Sequence, residues 1–200
     1  MTTVIDGTAG ITFPNSTTQA FAVPTPSTSG NVLTSNGTAW TSQAAVTGLA
    51  MADLWRMNTT VQGNTNPLTN WTRATTAPNG TTGSAMTVSS GVFSFPATGV
   101  YYIEFVEYIY SSSSTQGCQA YIYACTDGTT FNQLSSSNQG IYNFSGSYPS
   151  NGNLITSALV NVTSTSLIKV QFVFGAGQGY EYCLGSSSVN QTYVVFLKVA

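Results

Sequence analysis

The sequence predicts an all-β protein, a jelly-roll β-sandwich preceded by an extended, β-rich N-terminal arm. Three observations carry that prediction. Of the 200 residues, 42% are hydrophobic and 12% aromatic, enough to bury a core although only 5% are charged. The chain holds 31 Thr and 25 Ser, and together with Val, Tyr and Phe the threonines favour strands, while 19 Gly and many Asn and Ser supply turns. Apolar runs are short, often alternate at period two, and are separated by clusters of Gly, Ser and Asn, with no convincing helical period.

A composition shift near residue 50 divides the chain into an arm, residues 1–49, and a main domain, residues 50–200. Pro14, Pro24 and Pro26 interrupt any long strand in the arm. Its apolar residues are too few and too scattered to close a core of their own, so they need another surface. Ile11, Phe13, Phe21 and Trp40 are the anchoring candidates, for self-association or for docking on a larger assembly.

In the main domain, Trp55, Met57, Thr59 and Val61 alternate along one face of a first strand, and Trp71 begins another. The runs GVFSF (91–95) and VYYIEFVEYIY (100–110) flank a turn made by Pro96 and Gly99. Further strands are predicted near 118–125, 139–145, 153–162, 167–174 and 192–199. Such a series folds as a two-sheet sandwich. The 100–110 strand has apolar residues on both faces, with Tyr101, Ile103, Phe105 and Ile109 on one and Tyr102, Val106 and Tyr108 on the other. A strand covered on both sides lies between its own core and something else, and a neighbouring subunit fits; Tyr102 and Tyr108 are the candidate interface residues. Glu104 and Glu107 fall on opposite faces and are expected to be solvated or at an interface edge.

Charge and cysteine usage exclude several functions. Four Lys+Arg cannot form a basic stripe against phosphate, so nucleic acid is not expected as a partner. With no His, His-based catalysis and His-ligated metals are excluded. A glycan-cleaving site needs two carboxylates about 5–9.5 Å apart. The acids Asp6, Asp53, Glu104, Glu107, Asp127 and Glu181 are not paired by local spacing, and no Ca²⁺-type acidic loop occurs. Asp127-Gly128 is expected to be a hairpin turn, and neither enzymatic activity nor a cofactor is expected. Cys118, Cys125 and Cys183, an odd number, are expected to be small buried hydrophobes. Met1 to Gly10 has neither a basic start nor an apolar stretch, so synthesis in a cytoplasm without membrane insertion is expected.

The stretch FSFPATGVYYIEF resembles the signature of the complement globular-head and tumour-necrosis-factor-like jelly rolls, with Phe93, Gly99, Tyr101, Ile103 and Phe105 at its positions. TYVVFLKVA is similar to that family's closing strand, and ITSALVNVTSTSLIKVQFVF to its penultimate strand pair; Met86 stands where an aromatic is usual. The resemblance implies a jelly-roll protomer assembling as a homotrimer. In the arm, TTVIDGTAGITFPNSTTQ and PSTSGNVLTSNGTAWTS resemble segments of tailed-bacteriophage virion proteins. Together these resemblances imply a virion structural protein on the particle exterior, a trimeric capsid decoration (cement) protein whose arm docks on the major capsid protein or another virion protein. The alternative is a tail or head fibre that recognises a host-surface glycan through loops at 111–117, 135–140 and 148–153, with Tyr148 stacking on a sugar and Asn151 hydrogen-bonding it.

Overall fold

The computed structural model describes residues 4–6, 10–12, 18–19, 31–35, 40–44, 49–113, 115–141 and 150–199. The chain divides into two units, Met1–Gly48 and Leu49–Ala200. Among its described residues the first holds five short strands: β1 (Val4–Asp6), β2 (Gly10–Thr12), β3 (Thr18–Gln19), β4 (Asn31–Ser35) and β5 (Trp40–Ala44). β1, β2 and β3 form one antiparallel sheet, and β4 and β5 pair antiparallel from Asn31↔Ala44 to Ser35↔Trp40. Uncharged side chains support the latter ladder, with Asn31 Nδ2 donating to Ser42 Oγ at 2.9 Å. Ile11 lies in β2 and Trp40 opens β5, whereas Phe13 and Phe21 lie outside the described residues.

The second unit is an all-β, two-sheet sandwich, as its alternating sequence predicts. Its strands are β6 (Met51–Met57), β7 (Val61–Gln62), β8 (Trp71–Arg73), β9 (Thr87–Ser89), β10 (Val92–Ser94), β11 (Gly99–Ser111), β12 (Thr115–Cys125), β13 (Asn132–Ile141), β14 (Ser150–Val162), β15 (Lys169–Ala176), β16 (Glu181–Cys183) and β17 (Tyr193–Lys198). One sheet runs β13-β12-β15-β10-β9. In the other, β14 pairs one side of β11 along its whole length; the other side is shared by β17, over Tyr101–Val106, and β16, over Ile109–Ser111. Beyond β17 follow β6 and β8.

The family-like signature lines the core. Phe93, Tyr101, Ile103 and Phe105 are fully buried, and Phe93 meets the rings of Trp55, Trp71, Phe172 and Phe196 at centroid distances of 5.2–5.7 Å. Edge-to-face and tilted packing of this kind adds about 0.5–1.5 kcal/mol per pair beyond area burial. Tyr101 also donates its hydroxyl to Ala97 O at 2.9 Å, fixing the turn between β10 and β11. Gly99 sits there at φ +136°, a backbone conformation that favours glycine. Met86, the departure from the pattern, is fully buried with this core.

Several strand limits differ from those expected. Trp55 and Met57 do point inward together, but β6 ends at Met57, and Val61 belongs to the separate β7. The Ser-rich stretch Ser135–Gly140, expected as a loop, lies within β13, an exposed edge strand paired with β12 through the backbone. The expected loops at 111–117 and 148–153 are similarly taken up: β11 runs to Ser111 and β12 starts at Thr115, and Asn151 lies in β14 opposite Tyr110. Asp127-Gly128 is a turn as expected. The Thr129 and Thr130 backbone N–H groups donate to Asp127 Oδ1 at 2.9 and 2.7 Å, and Gly128 has φ +87°. Hydrogen bonds from Thr130, then from the Thr129 backbone, hold the Asp127 carboxyl below its usual range.

Candidate functional site

Among the described residues, the outer face of the β14-β11-β17-β6 sheet exposes large aliphatic side chains. Along β14 alternation is strict: Leu154, Thr156, Val160 and Val162 are buried, while Asn153, Ile155, Ser157, Leu159 and Asn161 are exposed. Ile155 is 59% and Leu159 65% exposed. Register continues this face across the sheet. Leu159 lies opposite Tyr102 and Tyr102 opposite Leu197; Ile155 lies opposite Val106 and Val106 opposite Tyr193. Val195 and Leu54 extend the row toward the β8 edge. The central position is polar: Glu104 lies between Ser157 and Val195, and accepts a hydrogen bond from the Tyr102 hydroxyl at 3.1 Å.

Tyr102 and Tyr108, the predicted interface residues, are both half-buried on this face. Tyr102 sits among aliphatic cross-strand neighbours, and Tyr108 opposite Asn153 marks its polar margin. Sequence reasoning missed Ile155 and Leu159, although the alternation of LITSALV carries the signal for both. Asn151 is exposed at the far end of the same strand, and Tyr148 lies outside the described residues. This face offers desolvation and shape rather than chemistry.

The interior of the same sheet corrects the reading of Glu107. That residue is fully buried, with neither carboxyl oxygen hydrogen-bonded among the described residues. It points inward because β11 places it in phase with Phe105 and Ile109. Burial pushes its pKa well above the usual carboxylate value. Burial, then the acids Glu181 and Glu107, push the Cys118 thiol up to about 12. Cys183 is raised as well, by burial first and then by Glu107. All three cysteines are free and buried, as expected of small hydrophobes, and the raised values of Cys118 and Cys183 disfavour the reactive thiolate.

A second polar knot closes the sandwich near β6. The Asp53 carboxylate accepts from Trp55 Nε1 at 3.0 Å, Arg73 Nε at 3.0 Å and the Met86 backbone N–H at 2.9 Å. Arg73 lies over the Trp55 ring at 4.5 Å and also donates to Met86 O. The Trp55 bond orients Asp53 within β6, and the other contacts tie β6 to β8 and to the segment entering β9, so the role of this cluster is structural.

No family model and no curated protein matches the sequence. Solved structures do match in fold. The structure of Eiger TNF from S. frugiperda superposes with a TM-score of 0.56 at 16% identity, covering 76% of this chain and 94% of that one. Murine APRIL superposes with a TM-score of 0.54 at 7% identity, covering 74% of this chain and 98% of that one. The sandwich is thus a TNF-like jelly roll, reached with little sequence in common.

Proposed function

We propose that the chain is a homotrimeric structural protein of a bacteriophage virion, decorating the capsid exterior, with residues 1–49 serving as its attachment arm. The observation that carries the assembly step is the outer face of β14, β11 and β17, where the exposed Ile155 and Leu159 adjoin the half-buried Tyr102 and Leu197 and the buried Val106, with one acid already held by a tyrosine hydroxyl. An apolar, weakly charged sheet face of this kind resembles the core of an obligate interface. A second copy of the same chain is the matching occupant, since the jelly-roll resemblance implies packing of such faces about a threefold axis. The virion assignment rests on the resemblance of TTVIDGTAGITFPNSTTQ and PSTSGNVLTSNGTAWTS to phage virion segments. Burial of surface between shell subunits would stabilise the particle by mass action.

Light scattering on the full chain at micromolar concentration is expected to return three times 21.0 kDa. A monomer there would sink the assembly reading. Quantitative mass spectrometry of purified particles is expected to find copies comparable in number to the main shell protein. A handful of copies per particle would move the protein from the capsid lattice to the tail, and absence from particles would overturn the virion assignment.

A further inference from the structure

On the opposite sheet, the outer surface carries a groove of about 310 Å³ lined by residues from three separate stretches. Its geometry follows from strand phase. In β12 the inward residues Cys118, Ala120 and Ile122 are buried, which turns Gln119, Tyr121 and Tyr123 outward. In β15 the register sets Gly175 opposite Gln119, Val173 opposite Tyr121 and Gln171 opposite Tyr123. Past the end of β10, residues 64–68 take over as the neighbour of β15: Thr65 and Phe174 exchange backbone hydrogen bonds of 2.9 and 3.1 Å. Thr65 thereby leaves Asn64 and Asn66 exposed on either side of it.

The result is a trough with tyrosines along one wall, asparagines along the other, and Val173, Gly175, Ala176 and Gly177 between them. Gly175 is required for its shape. A Cβ there would lie 2.8 Å from Tyr121 Cε2 and 2.9 Å from Gln119 Oε1, so any larger residue would displace the tyrosine wall. Neighbouring polar groups are held in place. The Tyr121 hydroxyl donates to Gln119 Oε1, Gln171 Nε2 donates to Asn66 Oδ1 at 3.1 Å, and Tyr121 and Tyr123 pack edge to face at 5.9 Å.

We propose that this groove binds a neutral saccharide, a reading that goes beyond the assembly proposal and does not depend on it. No residue lining the groove is charged, so a charged ligand would lose water without gaining a counter-charge. Tyrosine rings offer an apolar surface for the C–H face of a pyranose, and side-chain amides offer paired donors and acceptors to its hydroxyls. The volume sits at the small end of the roughly 300–1,000 Å³ range of small-molecule sites, which suits one or two sugar units rather than a large ligand.

The test uses the full chain and saturation-transfer NMR with lactose, maltotriose and N,N′-diacetylchitobiose as neutral probes and sialyllactose as the charged comparison. At least one neutral probe is expected to bind with a Kd of about 0.1–10 mM, ahead of the sialylated sugar. Asn64→Ala and Tyr123→Ala, which alter exposed or half-exposed side chains, are each expected to weaken that binding about tenfold or more with the melting temperature unchanged. Free glucose and galactose serve as a further arm, and weaker binding of these than of their oligomers would assign the groove to an oligosaccharide chain. Silence of all neutral probes at 10 mM, or binding that survives both variants, would overturn the proposal; loss of trimers without loss of sugar binding would count only against the assembly reading.

Discussion

A carboxyl group buried without a hydrogen-bond partner is held as the neutral acid, because charging it in that surrounding costs several kcal/mol more than in water. Glu107 is such a group, and the thiols of Cys118 and Cys183 are near enough to feel its field. Its folded pKa stands well above the ordinary 4.5. Between those two values the folded state holds a proton that the unfolded state has released, so stability falls as pH rises through this window. Below the unfolded value both states are protonated and the penalty vanishes. Glu107→Gln keeps the shape and removes the titration. Thermal melts from pH 5 to 9 are expected to slope downward in the parent and less steeply in the variant, with every tenfold gain in proton affinity on folding worth about 1.4 kcal/mol. Parallel slopes would mean that Glu107 is not the titrating group.

At the scale of the strand, the two faces of β14 are unequally buried, so the inward face serves folding and the outward face is free for the proposed association. Leu159→Glu and Ile155→Lys alter side chains that are open in the single chain, so each is expected to move monomer stability by no more than about 0.5 kcal/mol. In the assembly the same charges would be desolvated without partners. Light scattering should therefore report dissociation while the melting curve of the separated chain stays close to the parent's, and trimers surviving both substitutions would remove this face from consideration. Part of this sheet was legible: LITSALVNV alternates cleanly, and VYYIEFVEYIY carries apolar residues on both of its faces. What escaped has a physical reason in each case. β13 is an edge strand whose Ser and Asn side chains carry no hydrophobic period, and its pairing is made by the backbone. β16 is three residues long, too short for any pattern. The burial of Glu107 follows from the phase of β11, but the cost of burying an acid argued against it. The groove draws on residues 64–66, 117–123 and 173–177, which only the β12–β15 register brings together; the outward Tyr-x-Tyr of CQAYIYAC was its one local signal.

At the scale of the whole molecule, unit Leu49–Ala200 contains a complete aromatic core built from its own residues. Removing residues 1–40 is accordingly expected to leave a folded, cooperative melting transition and the oligomeric state intact, while abolishing co-sedimentation with particles. Persistent co-sedimentation would reassign attachment to the jelly roll, and loss of the oligomer would place the arm inside the assembly. The fold itself was legible because a short motif of core residues, Phe93 to Phe105, is dictated by packing inside the sandwich, and the fold is what is shared at 16% identity with Eiger TNF.

Among the described residues of the jelly roll Asp127 is the only charged side chain that is exposed, since Asp53, Arg56, Glu107 and Glu181 are buried and Arg73, Glu104, Lys169 and Lys198 are half-covered. Outside the apolar face of β14, a surface of hydroxyls and amides stays wet through hydration rather than through mutual repulsion. Two such surfaces approaching each other meet almost no Coulomb barrier at any ionic strength. Copies of this unit can therefore be crowded side by side with little electrostatic pressure to push them apart, in dilute buffer much as in brine.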